Sequence, residues 1–473
     1  MIALCFALAC AFSAQDAPTP PNVVLIVTDD QGYADLGCYG ATEFRTPRID
    51  ALADEGLRGT SFYVSQATCT SSRASFLTGC YANRIGVEGA LGPWSTVGLH
   101  PDETTTAELL RERGYATHFV GKWHLGHQPP HRPTRHGFDH WYGLPYSNDM
   151  WPVDYDGVLV DDAHRKASYP PLPLYRDDAL LFELSSLDQQ DRLTELYTAE
   201  AERFIAEAAP LGPFYLQVMH SMPHVPLGAS AVFKGSSEQG FYGDVIQEID
   251  ASVGRVLDAL EAAGVTDRTL VVFSSDNGPW LNYGDHAGSA LPLREAKGSM
   301  WEGGCRVPFI ARLPGVIPAG SESGALMASI DLLPTIADLC DAELPALEID
   351  GLSLLPHWRD PSESSPRDQY LYYYNGRLHA VRDGDWKLHL PHDYRSYERL
   401  TPGSGGHPGP TVTARISNAL FDLANDPGER RDLADLHPDR VARLQALAEE
   451  ARDVLGDGSR RGSGQREPAN VED

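Results

Sequence analysis

Two stretches of this chain are apolar at almost every position, where a half-exposed strand would alternate. They are Asn22-Val23-Val24-Leu25-Ile26-Val27 and Thr269-Leu270-Val271-Val272-Phe273-Ser274. A run with no solvent-facing phase suits a strand covered on both faces of a parallel sheet. Residues 214–219 read as a third strand. Between these strands the period lengthens to that of a helix, over 104–113, 188–209 and 243–263. The last is the clearest, with Ile246, Ile249, Val253, Val256 and Leu260 on one stripe. Strands alternating with helices predict an α/β layered sheet.

The pattern changes after about residue 355. Residues 356–368 are turn-rich and read as a connection. Residues 370–374, 379–382 and 386–390 then read as short strands of an antiparallel meander, with Asp383-Gly384-Asp385 turning between two of them. Residues 401–410 form a Gly/Pro loop. Residues 438–455 make one amphipathic helix, with Pro438 suited to its first turn. From Gly456 the chain is rich in Gly, Ser and charge and is expected to be flexible. The expected organisation is a large α/β domain over 20–355, a small α+β domain over 365–455, and a tail over 456–473. No internal repeat is present.

The first 14 residues are apolar but too short to cross a bilayer. They suit the core of a signal peptide with cleavage near Ala11 to Ala14, although no Lys or Arg precedes them. An exported protein, periplasmic or extracellular, is expected, and no other segment reads as transmembrane. The seven cysteines agree. Cys5 and Cys10 leave with the signal, and Cys38, Cys80, Cys305 and Cys340 allow zero, one or two disulfides. The formal charge of −28 over 473 residues argues against nucleic acid and anionic membranes as partners. An anionic substrate would need a locally positive pocket.

Asp29 and Asp30 directly follow the first buried strand, and Asp276 and Asn277 the second. Sites on open α/β sheets form beyond the carboxyl ends of strands. Three carboxylates and an amide oxygen are hard donors that suit Ca²⁺ or Mg²⁺. Cationic groups follow. Lys122 and His124 lie two apart in Gly121-Lys122-Trp123-His124-Leu125-Gly126, so on an extended segment they share a side. Ser147 lies in Tyr146-Ser147-Asn148-Asp149. His220 and His224 lie in His220-Ser221-Met222-Pro223-His224-Val225-Pro226, and Lys297 opens a Gly-rich stretch running to Pro308. Singly, each is more often a surface or packing residue. Asp149, Trp151, Tyr283 and Trp301 are weaker candidates for lining a sugar subsite.

Cys69-Thr70-Ser71-Ser72-Arg73-Ala74-Ser75-Phe76-Leu77-Thr78-Gly79 resembles the sulfatase signature, in which the leading Cys is oxidised to formylglycine. Ser71 stands where that family has Pro or Ala. Together with the segments above, and with Leu420-Phe421-Asp422-Leu423, Asp426-Pro427 and Glu429, the chain is similar to the type I sulfatases over about 22–440, on the arylsulfatase A and N-acetylgalactosamine-6-sulfatase branch. The resemblance implies an alkaline-phosphatase-like layered sheet with a smaller C-terminal antiparallel domain. It implies metal ligands Asp29, Asp30, Asp276 and Asn277, completed by the modified Cys69, and a Ca²⁺ or Mg²⁺ ion. It places Arg73, Lys122, His124, Ser147, His224 and Lys297 around the sulfate, with His220 supporting a loop or touching substrate. It implies a formylglycine-generating enzyme as maturation partner and a sulfated carbohydrate or aryl sulfate as substrate. In that scheme Asp276 assists the attack of a residue-69 hydroxyl on sulfur. His224, with Lys297, protonates the leaving alcohol, and His124 deprotonates the second hydroxyl. Two other readings stand beside it: a phosphonate or phosphate ester hydrolase of the same superfamily, and a sulfated-glycan-binding protein with Cys69 unconverted.

Overall fold

The strands Thr269–Ser275, Asn22–Thr28, Phe214–Met219, Ala116–Lys122 and His140–Leu144 lie side by side and parallel, in that order, at the centre of an 11-stranded sheet. The computed structural model describes residues 20–471, so the proposed signal segment lies outside the described residues. Along the central strands, alternate side chains enter two separate apolar layers. Val23, Leu25 and Val27 pack on one face, and Val24 and Ile26 on the other. Leu270 and Val272 oppose Val271 and Phe273 in the same way. Both faces are covered, which is why these runs lack polar positions.

Antiparallel strands finish both sides of the sheet. Arg306–Arg312 lies between Thr269–Ser275 and Leu57–Tyr63, while Leu172–Arg176 and Ala179–Leu184 extend the other edge. The helices Leu193–Ala208 and Phe241–Ala262 cover one face. The helix expected over 188–209 is interrupted. A short turn, Leu187–Gln190, precedes the long helix, and at the break between them Asp191 caps the turn and pairs with Lys234.

The meander forms as expected. Gln369–Tyr374, Arg377–Asp383, Trp386–His389 and Ala419–Asp422 make a four-stranded antiparallel sheet, and Pro438–Leu455 packs on it. Tyr370, Ala380, Leu388 and Leu444 continue the apolar layer of the large sheet, so the two sheets share one core. The tail does not behave as its composition suggests. Ala469–Asn470 pairs antiparallel with Val97–Gly98, and Arg466 forks onto the carboxylate of the buried Glu103 at 2.6 and 2.7 Å. Composition reported the exposure of these residues and not their lack of partners. Among the described residues no cysteine is bridged: Cys38, Cys69, Cys80, Cys305 and Cys340 are free thiols. No described helix is long and apolar enough to cross a membrane.

Candidate active site

The pairing register sets Thr28 opposite Ser275, so Asp29-Asp30 and Asp276-Asn277 leave neighbouring strand ends side by side. The Asp276 amide donates to the Thr28 carbonyl at 2.9 Å, and the Asp30 amide to Asp276 Oδ1 at 3.1 Å. Asp30 takes a left-handed backbone, φ 64°, which Asp tolerates better than most residues. All four residues are buried.

Cys69 opens the helix Cys69–Thr78, every residue of which is buried. Its Sγ lies 3.5 Å from Asp29 Oδ1 and 3.3 Å from Lys297 Nζ. In this position the group at residue 69 meets both the carboxylates and the positive end of the helix dipole. Arg73 follows one turn later. Its Nε and Nη2 reach Asp276 Oδ2 at 2.9 Å, Nη2 reaches Asp29 Oδ2 at 3.1 Å, and Nη1 donates to the Lys122 carbonyl at 2.7 Å. Arg73 is therefore a bolt between carboxylates and backbone, and not a free cation pointing at a substrate.

Gly121 brings Lys122 in. A Cβ there would lie 2.0 Å from the Met219 carbonyl oxygen, so only glycine allows the strands this close. Lys122 Nζ pairs with Asp29 and donates to Ser147 Oγ at 3.1 Å. The strand ends at Lys122 and His124 is left-handed, φ 63°. A turn, and not strand alternation, therefore brings His124 beside Lys122. Thr70 Oγ1 donates to the His124 carbonyl at 2.8 Å. Neither His124 ring nitrogen has a partner, and burial, with Lys122 and Arg73 nearby, holds the imidazole neutral well below its usual range.

His224 approaches from the loop after Phe214–Met219. Its Nδ1 donates to the Val225 carbonyl at 2.6 Å, since that oxygen can only accept. Nε2 is then turned to Asp30, 3.7 Å from Oδ2. Burial first, then the Lys297 charge, lowers its pKa. Lys297 Nζ binds both Asp30 oxygens at 2.6 and 2.8 Å, beneath the Trp280 ring at 4.5 Å. Burial opposes its charge, but Asp30, Cys69 and Asp29 outweigh it and hold the ammonium on. His220 differs from expectation. Its ring turns towards Ser252, Nε2 to Oγ 3.4 Å, and only its carbonyl faces Arg73. Of the weaker candidates, Trp151 and Trp301 are core residues, 0% and 1% exposed, with Trp301 stacked on His389. Asp149 and Tyr283 stay near His224 and Asp30. Two residues that no motif marked complete the frame: Trp280 over Lys297, and Asn148, whose amide donates to the His224 and Pro226 carbonyls at 3.3 and 3.2 Å.

Ligand atoms of Asp29, Asp30, Cys69 and His224 all lie within 4.8 Å of one another. Asn277 tests whether a hard cation suits this cluster. Its Nδ2 donates to Asp30 Oδ1 at 2.7 Å, leaving Oδ1 buried and unpaired. Turning the amide over would set that oxygen against a carboxylate, which requires a cation between them. His224 offers a nitrogen, but the carboxylates of Asp29 and Asp30 and the amide oxygen of Asn277 are hard oxygen donors that fit Ca²⁺ or Mg²⁺.

A buried cluster of carboxylates, lysines and histidines at the carboxyl ends of a mostly parallel central sheet, with a small antiparallel sheet beside it, defines an alkaline-phosphatase-like hydrolase. The chain belongs to the sulfatase family: the family model for Sulfatase matches residues 21–342 and that for the C-terminal region of aryl-sulfatase residues 365–465. It is 36% identical to N-acetylgalactosamine-6-sulfatase of Mus musculus, covering 92% of this chain and 87% of the relative. It is 38% identical to arylsulfatase A of Bos taurus, covering 89% and 84%. Among solved structures it is similar to the PsFucS1 sulfatase from Pseudoalteromonas sp., with TM-score 0.82 and 28% identity over 91% of this chain and 89% of that one. The protein is thus a sulfuric ester hydrolase.

Proposed function

We propose that this chain is an exported enzyme that removes sulfate from sulfated carbohydrates, with residue 69 matured to formylglycine and one Ca²⁺ or Mg²⁺ bound by Asp29, Asp30, Asp276 and Asn277. The observation that carries this reading is the position of Cys69, at a helix start and within 3.5 Å of both Asp29 and Lys297. The relative named for a sulfated sugar, N-acetylgalactosamine-6-sulfatase, supports the carbohydrate class. Hydrated formylglycine supplies one hydroxyl to attack sulfur and a second through which the ester is discharged, and the cation supplies charge to a sulfate oxygen.

The chain's own groups divide the remaining work. Lys122 and Lys297 hold the anionic oxygens of the substrate in a water-poor pocket, where each contact is strengthened. Ser147 fixes the Lys122 ammonium. Arg73 keeps the carboxylates Asp29 and Asp276 apart and charged, and Asp276 accepts a proton as residue 69 attacks. His224 Nε2 gives a proton to the leaving alcohol oxygen, because its Nδ1 is committed to Val225. An anionic ester beside it favours that protonated form. His124, neutral in the resting protein, takes the proton that releases sulfate. Lys122 and Lys297 fill the space beside Asp29 and Asp30 where a second metal would have to bind. This supports a single-cation sulfatase over a two-metal phosphatase. The test is the mass of the tryptic peptide of residues 59–73, from protein made with a formylglycine-generating enzyme, alongside turnover of aryl sulfate, phosphate and phosphonate. Aldehyde with sulfate turnover is expected. An unmodified thiol in inactive protein favours the glycan-binding reading, and preferred turnover of phosphonate favours the superfamily alternative.

A further inference from the structure

The loop that carries Ser147 continues into a carboxylate with no role in the chemistry above. Asp149 is 9% exposed, and its Oδ1 is buried without a hydrogen-bond partner. Burial pushes this carboxyl towards the neutral form, but His224, Lys166 and a hydrogen bond from Ser147 outweigh it and keep it ionised, with Oδ1 still unpaired. A buried, ionised and unpaired acceptor is costly unless something donates to it. Its neighbours show where that donor must come from. Asp149 acts electrostatically on Tyr155 and on Tyr283, which also senses Asp30. The two phenols bond to each other at 2.5 Å. Trp280 packs on Tyr283 at 4.9 Å between ring centroids and faces His224 at 5.5 Å. Asn148, the residue before it, donates to the His224 carbonyl at 3.3 Å, so the chain holds Asp149 near the general acid, whose ring also faces Trp280.

We propose that Asp149 is a specificity-determining residue that accepts a hydrogen bond from a free hydroxyl of the leaving group, close to the sulfated carbon, so that the site takes sulfated sugars in preference to aryl sulfates. This rests on the sulfatase reading and deepens it. An anionic side chain has no use for the sulfate itself, which it repels. A neutral hydroxyl suits it better than an ammonium, because Lys166 already faces it from a buried position, its Nζ 4.8 Å above the Tyr155 ring. Lys122 adds further positive charge nearby. The wall of Trp280 and Tyr283 offers an apolar surface to the face of a pyranose ring. An aryl sulfate fills the same space but brings no donor next to the ester, and so leaves Asp149 unpaired.

The experiment compares wild type, Asp149→Ala and Asp149→Asn, all carrying the matured residue 69, on p-nitrophenyl sulfate and on a panel of galactose and N-acetylgalactosamine monosulfates. Asp149→Ala should lose about 10- to 100-fold in kcat/KM on the preferred sugar, the range of a charge-assisted hydrogen bond, and about twofold or less on p-nitrophenyl sulfate. Asp149→Asn, which keeps an acceptor oxygen, should fall between wild type and Asp149→Ala on the sugar, and it carries the test if Asp149→Ala does not fold. A deoxy analogue lacking the neighbouring hydroxyl should lose as much with wild type as Asp149→Ala loses with the parent sugar. Equal losses on both substrates would instead assign Asp149 to the electrostatics of His224, and no loss on either would remove it from the site; both overturn the proposal. If wild type turns over neither substrate, the sulfatase reading fails by itself. Calorimetric affinities of the same proteins for the sugar sulfates then decide: the variants must bind the sugar at least about tenfold more weakly than wild type, or the proposal falls too.

Discussion

Arg73 joins Asp29 to Asp276 across two strand ends, with its guanidinium 3.1 Å from one carboxylate and 2.9 Å from the other and only 1% of its surface exposed. Burial and the Asp29 charge push Asp276 up, while Lys122 and Arg73 outweigh burial and hold Asp29 far below the usual carboxylate range. Asp276 thus leans on Arg73 for its ionisation, while Asp29 leans on Lys122 first and Arg73 second. The lysines reach Asp29 and Asp30, but neither makes a direct contact with Asp276.

Arg73→Ala should consequently destabilise the fold as well as stop turnover. Removing one partner of a buried ion pair costs about 3–5 kcal/mol, because the charges left behind have no compensation. Arg73→Lys restores a charge but cannot fork to Asp276 and the Lys122 carbonyl together, so it should recover stability only in part. Urea unfolding of both variants measures this. An Arg73→Ala protein as stable as wild type would show that the guanidinium is not the element that holds the carboxylates.

Cys69→Ser retains a hydroxyl for the attack on sulfur but lacks the second hydroxyl. Under the proposed chemistry this variant should release one equivalent of alcohol in a burst and then stop, with sulfate esterified to residue 69. Intact-mass spectrometry after mixing with substrate checks it. Sustained turnover by Cys69→Ser would falsify the need for the aldehyde.

Much of this site was legible in the chain because it sits where pattern and chemistry coincide. Continuous apolar runs betray strands covered on both faces, and the dipeptides that end them, Asp29-Asp30 and Asp276-Asn277, are brought together by simple parallel register. What stayed hidden depends on partners far away in sequence. The bridging role of Arg73 needs carboxylates from two strands. His220 could be read as supporting a loop or touching substrate, and only the fold shows its ring facing Ser252. Trp301 looked like a rim aromatic and is core, beneath the Arg294 guanidinium at 3.8 Å. The tail, polar and Gly-rich, is held by Glu103, which lies more than three hundred residues away. Asp149 was visible as a residue, but its unpaired oxygen was not.

A second buried cluster sets the response to acid. His379, in the small sheet, and His392, which opens the strand His392–Ser396 of a separate two-stranded sheet, stack at 3.9 Å, and His389 lies 5.6 Å from His392. Burial, and for His379 the neighbouring imidazoles, push His379 down to about 2, while burial pushes His392 down to about 4. A histidine depressed in the folded state takes its proton more readily when unfolded, at about 6.5. The unfolded state then binds more protons, and stability falls as pH drops through the window between 6.5 and 4. For His392 the loss across that window is on the order of 3 kcal/mol at most. Urea midpoints at several pH values should slope downward towards acid, and His392→Gln should flatten the slope. An unchanged slope in that variant would place the acid sensitivity elsewhere.

Removing the cation should be felt in both stability and turnover. Asp29, Asp30 and Asp276 are matched in the structure by Arg73, Lys122 and Lys297, so the described cluster is near electrical balance. A divalent ion added to it leaves net positive charge, which an anionic ester then answers. This is how a chain of formal charge −28 can attract sulfate. Dialysis against a chelator should therefore abolish turnover and lower the melting temperature. Ca²⁺ restored at about a hundred times its Kd should return about 2.7 kcal/mol. Asn277→Ala separates this from a nonspecific salt effect. It removes a buried oxygen left without a partner, Asn277 Oδ1, while sparing every ion pair in the cluster. Its apo protein should melt below wild-type apo protein, because the buried Nδ2 bond to Asp30 is lost, and its Ca²⁺-dependent rise, measured from that lower baseline, should be smaller than that of wild type. Mg²⁺ in place of Ca²⁺ reports the size of the cavity through the ion each prefers. Melting curves of wild type that coincide with and without Ca²⁺, in protein freed of metal by the chelator, would remove the cation from this site.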